Sequence, residues 1–487
     1  MSAPSSTANQ ELVAKLSGYL AGLSQQSRAS LVRSIDRARA RGENSAVHTI
    51  IMEAVRQIPD EQEAPAERPL SAERKFFDPV EPFLVPFALT KKQPMRVERR
   101  SLRPIWVWIT RDLVPGKLDA DLASVRAAVT EDDTEATVQI VRDFRAAVAV
   151  AAREELAHIK QQHGSYQRLE SQLGGEQILL DFLDVLSIFE KEAALSAFFK
   201  RLPEHIPGGK DGFELLDRAL KSFQKHGSDD PLMAYTAGFS RLENKADLVL
   251  FAISRAASTD PAYIRRSPAK DCINVVLSQI AIEAEQIALQ LENAAGVSQI
   301  VATLKRFDDL SSAVFRNLEE APTDPWLKQL AGIRVETGER ISSRISALLG
   351  QMKSVVSVIE NKGVQIIPDR ASIADAVFST ALFVAARDAR DSLALNAVIE
   401  PLEKGAESIL ENQARAAIER LGHAEDQHWE AALARSQAAV QLFRAYHGSS
   451  YGAAMAKRHN ALVESRSTAK ARENAEKESA ERMARAS

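Results

Sequence analysis

Apolar residues recur along most of this chain at three- and four-residue intervals, the spacing that lines one face of an α-helix. Over 134–162 the positions Val141, Phe144, Val148, Ala152, Leu156 and Ile159 share a face, which predicts a long amphipathic helix. The stretch from Glu176 to Leu202 is more apolar and predicts a single, more buried helix. Nearer the start, Val13, Leu16 and Leu20 set one stripe and Leu31, Val32 and Ile35 another. Residues 12–58 therefore read as three short helices.

Proline divides the pattern, because it removes a donor and clashes inside a helix at a cost of about 3 kcal/mol. Ten of the 19 prolines lie at or before Pro115, none in 116–202, and none after Pro401. Long helices are expected in the proline-poor stretches. Breaks are expected at 203–209, 227–231, 260–261, 268, 322–325 and 363–368. Asp229, Asp260, Asp324 and Asp369 stand beside breaks, where acidic N-caps are favoured. The final stretch should break once, at 448–452.

These elements imply an all-α fold of long antiparallel helices, in a bundle or an irregular helical array, with coiled-coil packing as one option. The expected organisation is an N-terminal helical segment (1–58), a polar, proline-rich linker (59–75), a Pro/aromatic/basic element (76–117) and a helical body (118–452). That body has room for two bundles parting near 360–370. A charged helix or tail (453–487) follows and is expected to fray at its end. No repeat of fixed period supports a consensus solenoid.

Composition adds little to fold and more to location. The 487 residues are 45% hydrophobic and 26% charged, with a net charge of −4, all ordinary for a globular protein. Cys272 is the single cysteine, so no disulfide can form within the chain. The first residues lack a basic, apolar leader. The longest uncharged apolar run, Ala376–Ala386, is far shorter than the ~20 residues of a membrane span. A cytoplasmic protein is expected.

Residues 76–117 differ from the rest. They hold Phe76, Phe77, Phe83, Phe87, Trp106 and Trp108, and a basic run of Lys91, Lys92, Arg96, Arg99, Arg100, Arg103 and Arg111 against Glu98 alone. A short helix after Pro104 is preferred to a strand over 105–109. Tryptophan and arginine are enriched at interface centres, and the body downstream is net acidic. This element therefore docks either on its own body or on a partner. Trp106 and Trp108 are expected to pack inward, and Lys91, Lys92, Arg96, Arg99 and Arg100 to face a partner.

Little else points to chemistry. Glu155-x-x-His158 and Glu425-x-x-His428 have the helical spacing of di-iron carboxylate bundles. Both glutamates are expected on apolar stripes, where a carboxylate wants a partner. The pairs are about 270 residues apart and no bridging glutamates stand out, so polar stripe-edge positions are the preferred reading over a metal. Gly208-Gly209-Lys210 lacks the upstream glycine and the Ser/Thr of a phosphate loop. Cys272, among Ile273, Val275 and Val276, reads as buried and structural. No catalytic residue or cofactor is expected, and an enzyme is disfavoured.

The leading expectation is an intracellular helical scaffold or adaptor working through protein–protein contacts. Another protein is the expected partner, with homo-oligomerisation through long helices also open. The alternatives are a helical, di-iron-like metal-binding protein or enzyme, and a peripheral membrane protein anchored by residues 83–109. Nucleic acid is disfavoured.

Overall fold

A computed structural model describes residues 72–487, apart from 117, 132–134, 164–165, 228, 294, 362–363 and 487; before them it describes Leu16 and Ile51 alone. The chain divides into two units, Met1–Ser71 and Ala72–Ser487. The helices expected over 12–58 and most of the 59–75 linker lie outside the described residues. The second unit is an all-α helical array with two minimal strand pairs.

The aromatic element opens this unit. Helix α1 (Ala72–Phe77) runs into a 3₁₀ turn at Asp78–Phe83, with Pro79 and Pro82 inside it. Strands β1 (Leu84–Val85) and β2 (Val97–Glu98) pair in parallel, Leu84 opposite Val97. Helix α2 (Leu102–Trp108) continues as a π-helical turn to Leu113. The 105–109 segment is therefore helical.

Helices α3 (Asp119–Glu131) and α4 (Glu135–His163) follow, packed on each other. On α4 the expected stripe from Val141 to Leu156 is buried and Ile159 is half-buried. The helix expected over 176–202 is corrected to two, α6 (Glu176–Glu190) and α7 (Glu192–Phe199), after the short α5 (Gln167–Leu173). Lys191 leaves helical geometry between them, with φ −106°. Its ammonium reaches Asp230 at 3.1 Å, while Glu192 takes Arg145 with both carboxylate oxygens. Partners on different elements thus turn the two halves apart.

The body continues through α8 (Gly209–Lys225), α9 (Pro231–Arg241), α10 (Asp247–Ala256), α11 (Pro261–Arg266) and α12 (Lys270–Glu292). Then come α13 (Val297–Asn317), α14 (Pro325–Ile345) and α15 (Leu348–Val356). A hairpin of β3 (Glu360–Asn361) and β4 (Val364–Gln365) leads to α16 (Arg370–Asp388), α17 (Asn396–Ser408) and α18 (Arg415–Leu421). Helices α19 (Trp429–His447) and α20 (Ser449–Ala486) end the chain.

Local rules set many of these starts. Asp260, Asp324 and Asp369 accept the backbone N–H of Ala262, Trp326 and Ser372 at 2.8, 2.9 and 2.7 Å. For α9 the cap is Asp230 rather than Asp229. Proline follows the cap in α9, α11 and α14, where its missing N–H costs nothing.

Two helices organise the packing. Helix α12 touches α9, α10, α11, α13 and α14; helix α19 touches α15, α16, α18 and α20. One apolar core runs continuously from Phe76 to Tyr446. Among the described residues, α12 alone is long and apolar enough to cross a membrane, but over half of that window is buried in the protein. The break expected at 448–452 narrows to Gly448, with φ +89°. Helices α19 and α20 then pack antiparallel, Ser436 bonding His459 and Arg466 lying 4.4 Å over Trp429.

Candidate protein-interaction surface

The aromatic residues of 76–117 face inward. Phe76 lies within 5.0–5.5 Å, ring centre to ring centre, of Phe77, Trp106 and Phe144, and 4.9 Å from Phe189. Trp108 meets Phe182 edge-on at 5.0 Å. The two tryptophans are 7% and 3% exposed. Helices α4 and α6 supply the opposing rings, so this element closes the core that they leave open.

Most cations of the basic run meet the chain's own groups. Lys92 reaches Asp181 at 2.5 Å and Asp184 at 2.7 Å, and also bonds the carbonyl of Arg96. Asp181 is wholly buried and also accepts Glu98 N–H at 3.0 Å and the Ser101 hydroxyl at 2.6 Å. Burial holds the Asp184 carboxyl above its ordinary pKa despite Lys92. Glu98, also wholly buried, accepts Leu89 N–H at 2.7 Å and pairs with Arg100 at 2.5 Å. Arg96 is buried against the Phe239 ring at 5.6 Å, and burial pulls its guanidinium pKa down to about 10. Arg99 pairs with Glu81, Arg103 with Glu73 and Arg111 with its neighbour Asp112. Lys91 is exposed and makes no ion pair among the described residues. It lines a cavity of about 880 Å³ between the 88–94 loop, α12 and α14.

The Glu-x-x-His pairs are not brought together into a site. Glu155 and His158 are exposed on α4, so Glu155 falls just outside the buried stripe that was expected to include it. The buried arc through Val148, Ala152 and Leu156 is too narrow to reach it. His158 bonds Gln162 at 2.8 Å. Glu425 is exposed in a turn before the 3₁₀ segment Asp426–His428, not on a helical stripe, and takes the amide of Gln427 at 2.7 Å. Among the described residues no group of three His, Cys, Asp or Glu is placed to hold a metal. Gly208 packs on the buried Asp247, whose carboxylate oxygen would stand 2.7 Å from an added Cβ. Cys272 is buried next to Tyr235, and burial pushes its thiol pKa up.

Sequence reasoning missed a cluster of exposed apolar residues. Around the β3–β4 hairpin, Val358, Ile359, Val364, Ile366 and Ile367 are 41–69% exposed. The hairpin is nevertheless held firmly. Ile366 N–H bonds Ile359 O at 2.8 Å. Arg435 of α19, 3% exposed, donates to Ser357 O at 3.0 Å, to the Gln365 amide oxygen at 2.9 Å and to Ile366 O at 2.6 Å. One guanidinium thus ties the segment leading into β3 and the end of β4 to the core. Beside the hairpin, Val356, Val358, Ala417 and Ala432 line a cavity of about 510 Å³ with Arg420 and His423 in its wall. The available signal was β-branched residues on both sides of Glu360-Asn361-Lys362-Gly363, a hairpin pattern. Comparison with family models, with curated proteins and with solved structures returns no match.

Proposed function

We propose that this chain is a helical scaffold or adaptor that binds another protein, with the hairpin around 358–367 as its main contact. Five exposed β-branched side chains on and beside strands β3 and β4 carry this reading. Apolar surface costs about 25 cal/mol per Å² to leave in water, and contiguous exposed patches mark interaction sites. Among the described residues β3 and β4 pair only with each other, so their edges offer backbone donors and acceptors to an added strand. Because Arg435 fixes the backbone, docking loses little conformational freedom. The adjacent cavity offers an apolar seat, with Arg420 and His423 as polar anchors.

The test pairs Val364→Lys with Ile367→Lys. Native lysate is cross-linked to wild type and to the variant, and the bound proteins are quantified side by side. A specific partner should be lost from the variant while its helicity and melting temperature match wild type. Sedimentation of the purified chain asks whether a second copy is that partner. If the variant keeps every cross-linked species and the same oligomeric state, the hairpin is not the contact.

A further inference from the structure

A second surface has different chemistry and does not depend on the hairpin. Helices α4, α7 and α8 flank an open cleft of about 440 Å³, within the size range of small-molecule sites. Its charged lining is entirely cationic: Arg142 from α4, with Lys200 and Arg201 just past the end of α7. His226, at the end of α8, adds an imidazole, and Ser196 and Ser222 add hydroxyls. Two alanines complete the lining, and no carboxylate contributes to it. This composition stands out in a body that is net acidic.

The local acid is already engaged. Glu192 is held by Arg145 through two bonds of 2.8 and 2.6 Å, and Arg142 adds one longer contact, from its Nε, at 3.3 Å. The terminal nitrogens of Arg142 make no hydrogen bond among the described residues. Neither Lys200 nor Arg201 makes an ion pair there.

Capping of helix ends accounts for His226 but not for the cations. The carbonyls of Phe199, Leu202 and Pro203 are taken by Arg241. His226 places its Nδ1 2.7 Å from Ser222 O, so Nδ1–H donates and Nε2 is left uncommitted. Ser196 is half-buried and its hydroxyl makes no hydrogen bond among the described residues. The Ser222 hydroxyl donates to Ala197 O at 3.4 Å, which leaves the Ser196 hydroxyl, two arginines and a lysine around a small cleft as a set of donors suited to phosphate oxygens.

We infer that this cleft binds a small phosphorylated ligand, with Arg142, Lys200 and Arg201 taking the phosphate charge and the Ser196 hydroxyl adding a hydrogen bond. The test uses pyrophosphate as probe, titrated calorimetrically into the full-length protein at low ionic strength. Saturable binding near one equivalent is expected. Lys200→Glu with Arg201→Glu should raise Kd about tenfold or more. Both residues are exposed, so the variant should fold normally. Lys221→Glu, on α8 but outside the cleft, controls for general charge and should change affinity far less. If pyrophosphate shows no saturable binding, or the control loses as much as the cleft variant, the inference is wrong and the cations serve only as a solvated surface.

Discussion

Trp106 and Trp108 are 7% and 3% exposed, whereas Val364 and Ile367, smaller and also apolar, are 69% and 49% exposed. The first pair sits in a proline-rich, arginine-rich segment with the composition of an interface. The second flanks a turn that reads along the chain as a simple break between helices. The aromatic element faces inward because its partners exist within the fold: Phe144, Phe182 and Phe189 for the rings, Asp181 and Asp184 for Lys92. The hairpin has no such cover among the described residues. Composition tells how much apolar surface a segment carries; only the tertiary partners decide whether that surface is turned toward the core or toward another molecule.

The largest expected effect tests the inward half of this contrast. Trp108→Ala should destabilise by about 3–5 kcal/mol, as large-to-small changes at buried aromatics do, and Trp106→Ala by a similar amount. Denaturant titration followed by circular dichroism measures it. A cost below about 1 kcal/mol, typical of a surface site, would return the aromatic element to the role of an interface.

Next comes the buried ion cluster that seats the element. Asp181→Ala leaves Lys92 with Asp184 and the Arg96 carbonyl and frees Glu98 N–H and the Ser101 hydroxyl. Removing one side of a buried pair costs about 3 kcal/mol or more. Combining it with Lys92→Met should cost less than the sum of the two single changes, because the Lys92–Asp181 pair can be lost only once. Strict additivity in this double-mutant cycle would show that the two groups do not interact.

These partners also show what could be read without a structure. Helix existence and most caps follow local rules, so Asp260, Asp324 and Asp369 were legible from sequence. The break at Lys191 depends on Asp230 and Arg145, which are distant in sequence and enter no local pattern. Glu155 was misplaced because periodicity gives the direction of a stripe but not its width. The hairpin's pattern was present in the sequence, yet whether any element covers it is a tertiary fact.

A middle-sized effect concerns the hairpin's anchor. Arg435→Ala removes three hydrogen bonds to Ser357, Gln365 and Ile366. A loss of about 1–3 kcal/mol is expected from stranding such groups. Amide exchange at Ile366 should accelerate more than at helix interiors. Partner binding should weaken although no exposed apolar side chain has changed. Unaltered exchange would show that the hairpin holds its shape without α19.

A smaller effect depends on pH. His459 of α20 is 8% exposed and bonds Ser436 at 2.8 Å. Burial lowers its pKa below the ordinary value near 6.5. The unfolded chain therefore takes up the proton more readily than the folded one. The stability this group contributes is complete above about pH 6.5 and is lost as pH falls through the lowered value. Stability curves of wild type and His459→Gln should converge on acidification through this window. Parallel curves would remove His459 from the account of the α19–α20 pairing.

The smallest change in stability is expected where the change in binding is largest. Val364→Ser removes an apolar side chain that is already 69% exposed, so its transfer from water contributes little to folding. Surface substitutions of this kind usually fall within about 0.5 kcal/mol. Reversing Arg99 and Arg103 breaks pairs with Glu81 and Glu73 whose arginines are 54% and 68% exposed. Exposed pairs are worth about 0–1 kcal/mol each, so this variant too should melt close to wild type. The two variants differ in what they do to the partner. Loss of binding in Val364→Ser, with binding kept after the arginine reversals, places the contact on the hairpin and leaves the basic run as internal scaffolding. The opposite result moves the contact to the basic run. If Val364→Ser instead lowered stability by about 2 kcal/mol or more, well above the surface range, the hairpin would be covered within its own chain. Its apolar residues would then belong to the core, as the tryptophans do.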